Sequence, residues 1–138
     1  WCFFFYFFLI YIYKSIQKIM PLKYFNQSDF DSCNPSCDIN DVHSDLLSML
    51  DSARELAGVP FKINSAYRSY THELNQGRDG TSSHVKGLAV DISATDSVNR
   101  FKITSALIKS GFNRIGVHDV FIHVDIDKDK SENVFWLY

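Results

Sequence analysis

His84, Asp91 and His123 are residues whose types and spacing could together hold a metal ion. Imidazole and carboxylate are good donors to a borderline cation such as zinc. A catalytic zinc site uses three protein ligands and keeps a fourth position open. In 88–93, Ala89, Asp91 and Ser93 alternate with Leu88, Val90 and Ile92; in 121–127, Phe121, His123, Asp125 and Asp127 alternate with Ile122, Val124 and Ile126. Side chains alternate across a strand, so each segment carries a polar face and an apolar ridge. With these strands adjacent and their ridges aligned, Asp91, His123 and Asp125 converge on one face. His84 precedes Asp91 by seven residues, and Gly87 lets the chain bend so that its ring returns to the same place. Taken singly, the same residues read equally well as a hydrogen-bonded histidine and a solvated aspartate. Spacing alone does not choose.

The elements that must position these residues are legible in the apolar periodicity. Over 41–57, Val42, Leu46, Leu50, Ala53 and Ala57 recur every three or four positions, Leu47, Met49 and Leu56 widen the stripe, and Gly58 and Pro60 end it. This predicts an amphipathic helix. Residues 61–67 alternate as a strand, 71–76 read as one or two helical turns, and 77–83 as a loop. After the strand 88–93, a second helix is predicted over 97–110 with Val98, Phe101, Leu107 and Ile108 inward and Gly111 as its stop. Residues 112–117 and 121–126 form a predicted hairpin around His118-Asp119, and 133–138 a short last strand. Helices mixed with strands too closely spaced for repeated crossovers predict an α+β fold: a mainly antiparallel sheet, flanking helices and the metal site on one sheet face.

Three segments carry a family resemblance. Ser82-Ser83-His84-Val85-Lys86-Gly87-Leu88-Ala89-Val90-Asp91 resembles the Ser-x-His-x-x-Gly-x-Ala-x-Asp signature of the zinc D-Ala-D-Ala carboxypeptidases (metallopeptidase family fifteen), which share a fold with the signalling domain of hedgehog proteins. Asn64-Ser65-Ala66-Tyr67-Arg68-Ser69 is similar to the family's Ser-Gly-Tyr-Arg-Ser segment, and Phe121-Ile122-His123-Val124-Asp125 to its final His-x-Asp strand. The order is the family's, and the likeness spans 22–138. It implies one zinc per chain on His84, Asp91 and His123, with Asp125 behind a ligand to orient it. Arg68 would bind the peptide carboxylate or the developing oxyanion, and Ser82 would help place the substrate. Outside the resemblance, Arg68 reads as a solvated charge and Ser82 as a loop cap. The implied partner is a peptidoglycan stem peptide, cut by a carboxypeptidase or endopeptidase at the bacterial cell wall, either as a remodelling enzyme or as a phage lysis enzyme. A monomer is expected.

The chain departs from the pattern at one position. Many relatives place a Glu or His three residues before the last zinc ligand as general base; here that residue is Val120, which accepts no proton. His118 and Asp119 lie nearby, and a neutral imidazole has the better intrinsic pKa near pH 7, so His118 is the favoured base. Asp119, or no protein base at all, are the alternatives. Val120 also motivates the rival reading, a non-catalytic zinc-stabilised binding module.

Bulk properties set the limits. The 138 residues suit one domain, hydrophobic residues are 46% and charged residues 22% of the chain, and the net charge is −2. With no basic block, no nucleic-acid or anionic-membrane partner is expected. Residues 1–13 are entirely hydrophobic, yet short for a membrane span of roughly 20 residues and without the features of a secretory signal. Residues 1–19 therefore read as an extension, upstream translation or an anchor, and 20–138 as the domain. Cys2, Cys33 and Cys37 are too few for a disulfide framework. Cys33 and Cys37 read as free thiols or an optional small-loop disulfide.

Overall fold

The computed structural model describes residues 21–138; the expected extension 1–19, Cys2 and the domain's expected first residue, Met20, lie outside the described residues. The chain runs through α1 (Gln27–Asp31), a 3-10 turn (Ile39–Asp41), α2 (Ser44–Ala57), β1 (Ile63–Ser65), α3 (Tyr70–Asn75), a second 3-10 turn (Ser83–Lys86), β2 (Ala89–Ser93), α4 (Ser97–Lys109), β3 (Arg114–Val117), β4 (Phe121–Asp125) and β5 (Val134–Leu137). The sheet order is β1-β2-β4-β3-β5. Among the described residues no helix is long and apolar enough to cross a membrane.

The mixed α+β architecture follows the expectation, and three of the four strand pairings are antiparallel; β5, however, pairs parallel to β3. The reason is topological. β4 is already paired on both edges, by β2 and β3, so the last strand cannot pair with it; it adds on the open edge of β3, antiparallel in direction to β4 and hence parallel to β3. The resulting register lays one row across the sheet: Ser65, Asp91, His123, Gly116, Trp136. The row places two of the expected ligands side by side.

The opposite face of the sheet builds the core. Val90, Ile92, Ile122 and Val124 are fully buried, in one cluster with Leu46, Leu50 and Ala53 of α2 and Ile103, Ala106 and Leu107 of α4. Helix α2 begins at Ser44 rather than 41, because His43 turns extended and its Nδ1 accepts the Asp45 N–H. It ends at Gly58, whose left-handed φ of 64° suits glycine. Leu56, expected to widen the apolar stripe, is exposed.

Helix α4 corrects a second expectation. Val98, Phe101 and Ile108 point to solvent, and of the four residues expected inward only Leu107 is buried. Phe101 and Ile103 are two positions apart and so lie about 200° apart around the helix; only one can face the sheet. The stripe that wins contains Ala106, and small residues there and at Ala53 let α4 pack on α2.

Candidate metal centre

His84 sits in the second 3-10 turn, which Ser82 caps by accepting the His84 N–H at 3.3 Å. Gly87 closes this turn with φ 67°, and a Cβ there would lie 2.1 Å from the Asp41 carbonyl oxygen. The residue is glycine for two reasons, left-handed backbone and lack of room. The segment after β1 then clamps His84 from both ends. The Arg68 N–H donates to the His84 carbonyl at 3.2 Å, and His84 Nδ1 lies 2.6 Å from the Ala66 carbonyl oxygen.

Those contacts define the proton positions. A carbonyl oxygen only accepts, so His84 Nδ1 carries the hydrogen and Nε2 offers its lone pair. His123 is oriented the other way round: Nε2 lies 3.1 Å from Asp125 Oδ2, so the hydrogen is on Nε2 and the lone pair on Nδ1. Asp125 is itself buried and fixed, its Oδ1 accepting from Arg114 Nε at 2.7 Å and from the Asp127 N–H at 3.0 Å.

The two free ring nitrogens face each other and one carboxylate oxygen. His84 Nε2 is 3.3 Å from His123 Nδ1 and 3.4 Å from Asp91 Oδ1, and His123 Nδ1 is 2.9 Å from the same oxygen. Three lone pairs converging in a buried place repel one another unless a cation lies between them. The donor set therefore fits a metal ion, and it is the one such cluster of His, Cys, Asp or Glu among the described residues. Burial holds the His84 pKa below its ordinary value, which favours the neutral ring with its lone pair available. For Asp91 burial pushes upward, but the two imidazoles outweigh it and hold the carboxyl well below the usual range. Burial likewise opposes charge on His123, yet Asp125 and Asp91 raise its pKa above that of an ordinary histidine.

The cluster lies in a groove of about 670 Å³. Arg68 and Ser82, both expected to meet substrate, line the same groove. His118 and Asp119 stand outside it. The hairpin places His118 on the metal-site side of the sheet, two residues beyond Gly116, with its ring stacked on Phe121 at 4.6 Å and edge-on to Tyr138. Its Nδ1 accepts the Val120 N–H at 3.3 Å, so a neutral ring carries its proton on Nε2 and acts as a donor in this arrangement. Asp119 is exposed, and its carbonyl is held by Arg100. Cys33 and Cys37 are both free thiols; burial pushes Cys37 up to about 11, far from a nucleophilic thiolate at neutral pH.

Several residues of the centre were given no role by the sequence. Glu73, fully buried in the groove wall, pairs with Arg68 and Arg78. Arg114 opposes Asp125 across the β3–β4 pairing. Asp127, buried, accepts from Ser83 Oγ at 2.9 Å and from Lys86 Nζ at 3.0 Å, tying the turn that carries His84 to the chain beyond β4. Its two-residue spacing from Asp125 was the available signal. Trp136 lies against His123 and over Gly116, where a Cβ would come within 2.4 Å of the indole; no sequence pattern announces it, because its place depends on the parallel β3–β5 pairing.

No curated protein matches the chain. The family model for Peptidase M15 matches residues 23–125, a span that begins before α1 and ends on β4 with His84, Asp91 and His123 inside it. A His-Asp-His cluster able to hold a metal agrees with that match, and the chain belongs to the peptidase M15 family of metal-dependent peptidases.

Proposed function

We propose that the chain is a zinc peptidase of hedgehog/D,D-peptidase type that hydrolyses peptide bonds in peptidoglycan stem peptides. The observation that carries the reading is the His84–Asp91–His123 triangle. Zinc would be held by His84 Nε2, Asp91 Oδ1 and His123 Nδ1, which stand 3.3, 3.4 and 2.9 Å from one another and so can share one ion. Nitrogen-rich donors also favour zinc over calcium or magnesium. Zinc held there would supply Lewis-acid polarisation of a carbonyl and would lower the pKa of water toward about 7.

The chain's own residues do the remainder. Asp125 keeps the His123 proton on Nε2, leaving Nδ1 free to ligate. Arg68, in the groove wall with its side chain 15% exposed, binds a peptide carboxylate or the developing oxyanion. Ser82 lines the groove beside His84 and positions the peptide. His118 is the proposed proton acceptor. To serve, it must give up its long hydrogen bond from Val120 and move the ring proton to Nδ1. The chain works as a monomer at the cell wall.

A specific observation favours a second reading. Val120, where relatives carry the base, is aliphatic and 48% exposed, and a zinc-stabilised binding module needs no base. Incubating the purified chain with purified peptidoglycan, with and without a chelator, separates the two. Chelator-sensitive release of amino groups is expected; a zinc-loaded, folded and inactive chain would leave the binding module.

A further inference from the structure

Helix α3 carries a carboxylate that solvent does not reach: Glu73 is 0% exposed, in the wall of an open groove. Two guanidinium groups share one of its oxygens. Arg68 Nε lies 3.2 Å from Glu73 Oε1 as an ion pair without hydrogen-bond geometry, and Arg78 Nη1 donates to the same oxygen at 2.9 Å. The Arg78 N–H also donates to the Glu73 carbonyl at 3.0 Å, so Arg78 is tied to this residue by backbone and side chain together. Glu73 Oε2 is left without a partner.

The charge count is uneven. One carboxylate faces two guanidiniums, which leaves this trio of side chains with one positive charge in excess, while across the whole groove lining Arg68, Arg78, Arg114 and Lys130 are matched in number by Glu73, Asp79, Asp91 and Asp125. Arg114, also in the groove, is spent on Asp125 and the Ser131 carbonyl. Arg68 is mostly buried, whereas the Arg78 side chain is 49% exposed and presents unused donors to the groove. An arginine has five N–H donors in a planar fork that matches a carboxylate, and a buried anchor for one end keeps the fork oriented without further ordering cost.

We propose that Glu73 yokes Arg68 and Arg78 into one anion-binding unit and that Arg78 is its specificity-determining member, selecting peptides with a carboxylate near the scissile bond over neutral counterparts. The position of that bond rests on the peptidase reading above. Glu73 is a positioning residue, acting only through the two arginines.

The test is a calorimetric titration of the zinc-loaded full chain with N-acetyl-D-alanine and with its C-terminal amide, which differ only in the carboxylate. The acid should bind at least tenfold more tightly than the amide. In Arg78→Met the gap should shrink by roughly tenfold, the scale of one charge-assisted hydrogen bond, and Arg78→Lys should restore part of it at unchanged zinc content. Glu73→Gln, which keeps both arginines, should narrow it too. If that variant does not fold, the two Arg78 variants decide, since Arg68 still compensates Glu73 in them. An equal gap in wild type and Arg78→Met, or no gap in wild type, overturns the proposal. Peptidoglycan hydrolysis is read separately: a gap without hydrolysis supports the clamp and sinks the peptidase, and hydrolysis without a gap does the reverse.

Discussion

Replacing Asp125 with asparagine tests the argument for the metal centre at its most sensitive point. The native carboxylate accepts three hydrogen bonds, two at Oδ1 from Arg114 Nε and the Asp127 N–H and one at Oδ2 from His123 Nε2. Asparagine has a single acceptor oxygen. With that oxygen toward Arg114 and Asp127, its NH2 group meets the His123 Nε2–H, donor against donor, and the ring relieves the conflict by moving its proton to Nδ1. That is the nitrogen facing His84 and Asp91. Metal binding must then displace this proton, and loss of such a supporting partner lowers metal affinity by about 10–100-fold, or about 1.4–2.8 kcal/mol. The fold will also weaken, because Arg114 loses its buried counter-charge; truncating a buried ion pair costs about 3–5 kcal/mol, and the retained amide oxygen keeps the loss below that. Zinc affinity measured by competition with a chelating dye separates the effects, with circular dichroism confirming the fold. A folded Asp125→Asn chain binding zinc within about twofold of wild type would refute the claim that Asp125 sets the His123 tautomer.

Other substitutions probe the same chain of reasoning. His118→Ala should leave zinc content intact and reduce peptidoglycan hydrolysis by about 10²–10⁴-fold; near-wild-type turnover would make His118 a surface residue. Gly87→Ala should destabilise the chain by about 2–5 kcal/mol, adding left-handed strain to a clash with the Asp41 carbonyl, and urea denaturation reads the loss. Burial tends to raise the Asp127 pKa, but Lys86 and Ser83 outweigh it and hold it below the ordinary value. That contribution is present above the unfolded carboxyl pKa of about 3.9 and is lost as pH falls through the lower folded value. Asp127→Asn should therefore melt at a lower temperature at neutral pH and show a flatter acid limb; an unchanged acid limb would count against the Lys86–Asp127 clamp.

The sequence by itself determined what depends on local chemistry. Period-two alternation in 88–93 and 121–127 placed Asp91, His123 and Asp125 on one face of two strands before any pairing was known. Gly58 and Gly87 marked places where the backbone turns left-handed. The mixed α+β class and the hairpin at His118-Asp119 were legible for the same reason, since apolar period and turn residues act over a few positions. Tertiary structure decided what depends on distant partners. Nothing local distinguishes the two apolar stripes of α4, so packing against α2 and the sheet chose Ile103 and Ala106 over Phe101. The edge and direction of β5 were set by its tertiary pairing with β3, and with them came Trp136 beside His123. Nothing local marks Glu73; only the fold brings Arg68 and Arg78 to one of its oxygens and makes its burial tolerable. Proton positions on His84 and His123 are likewise tertiary, because they are set by the Ala66 carbonyl and Asp125, acceptors that become neighbours of the two rings once the sheet has formed.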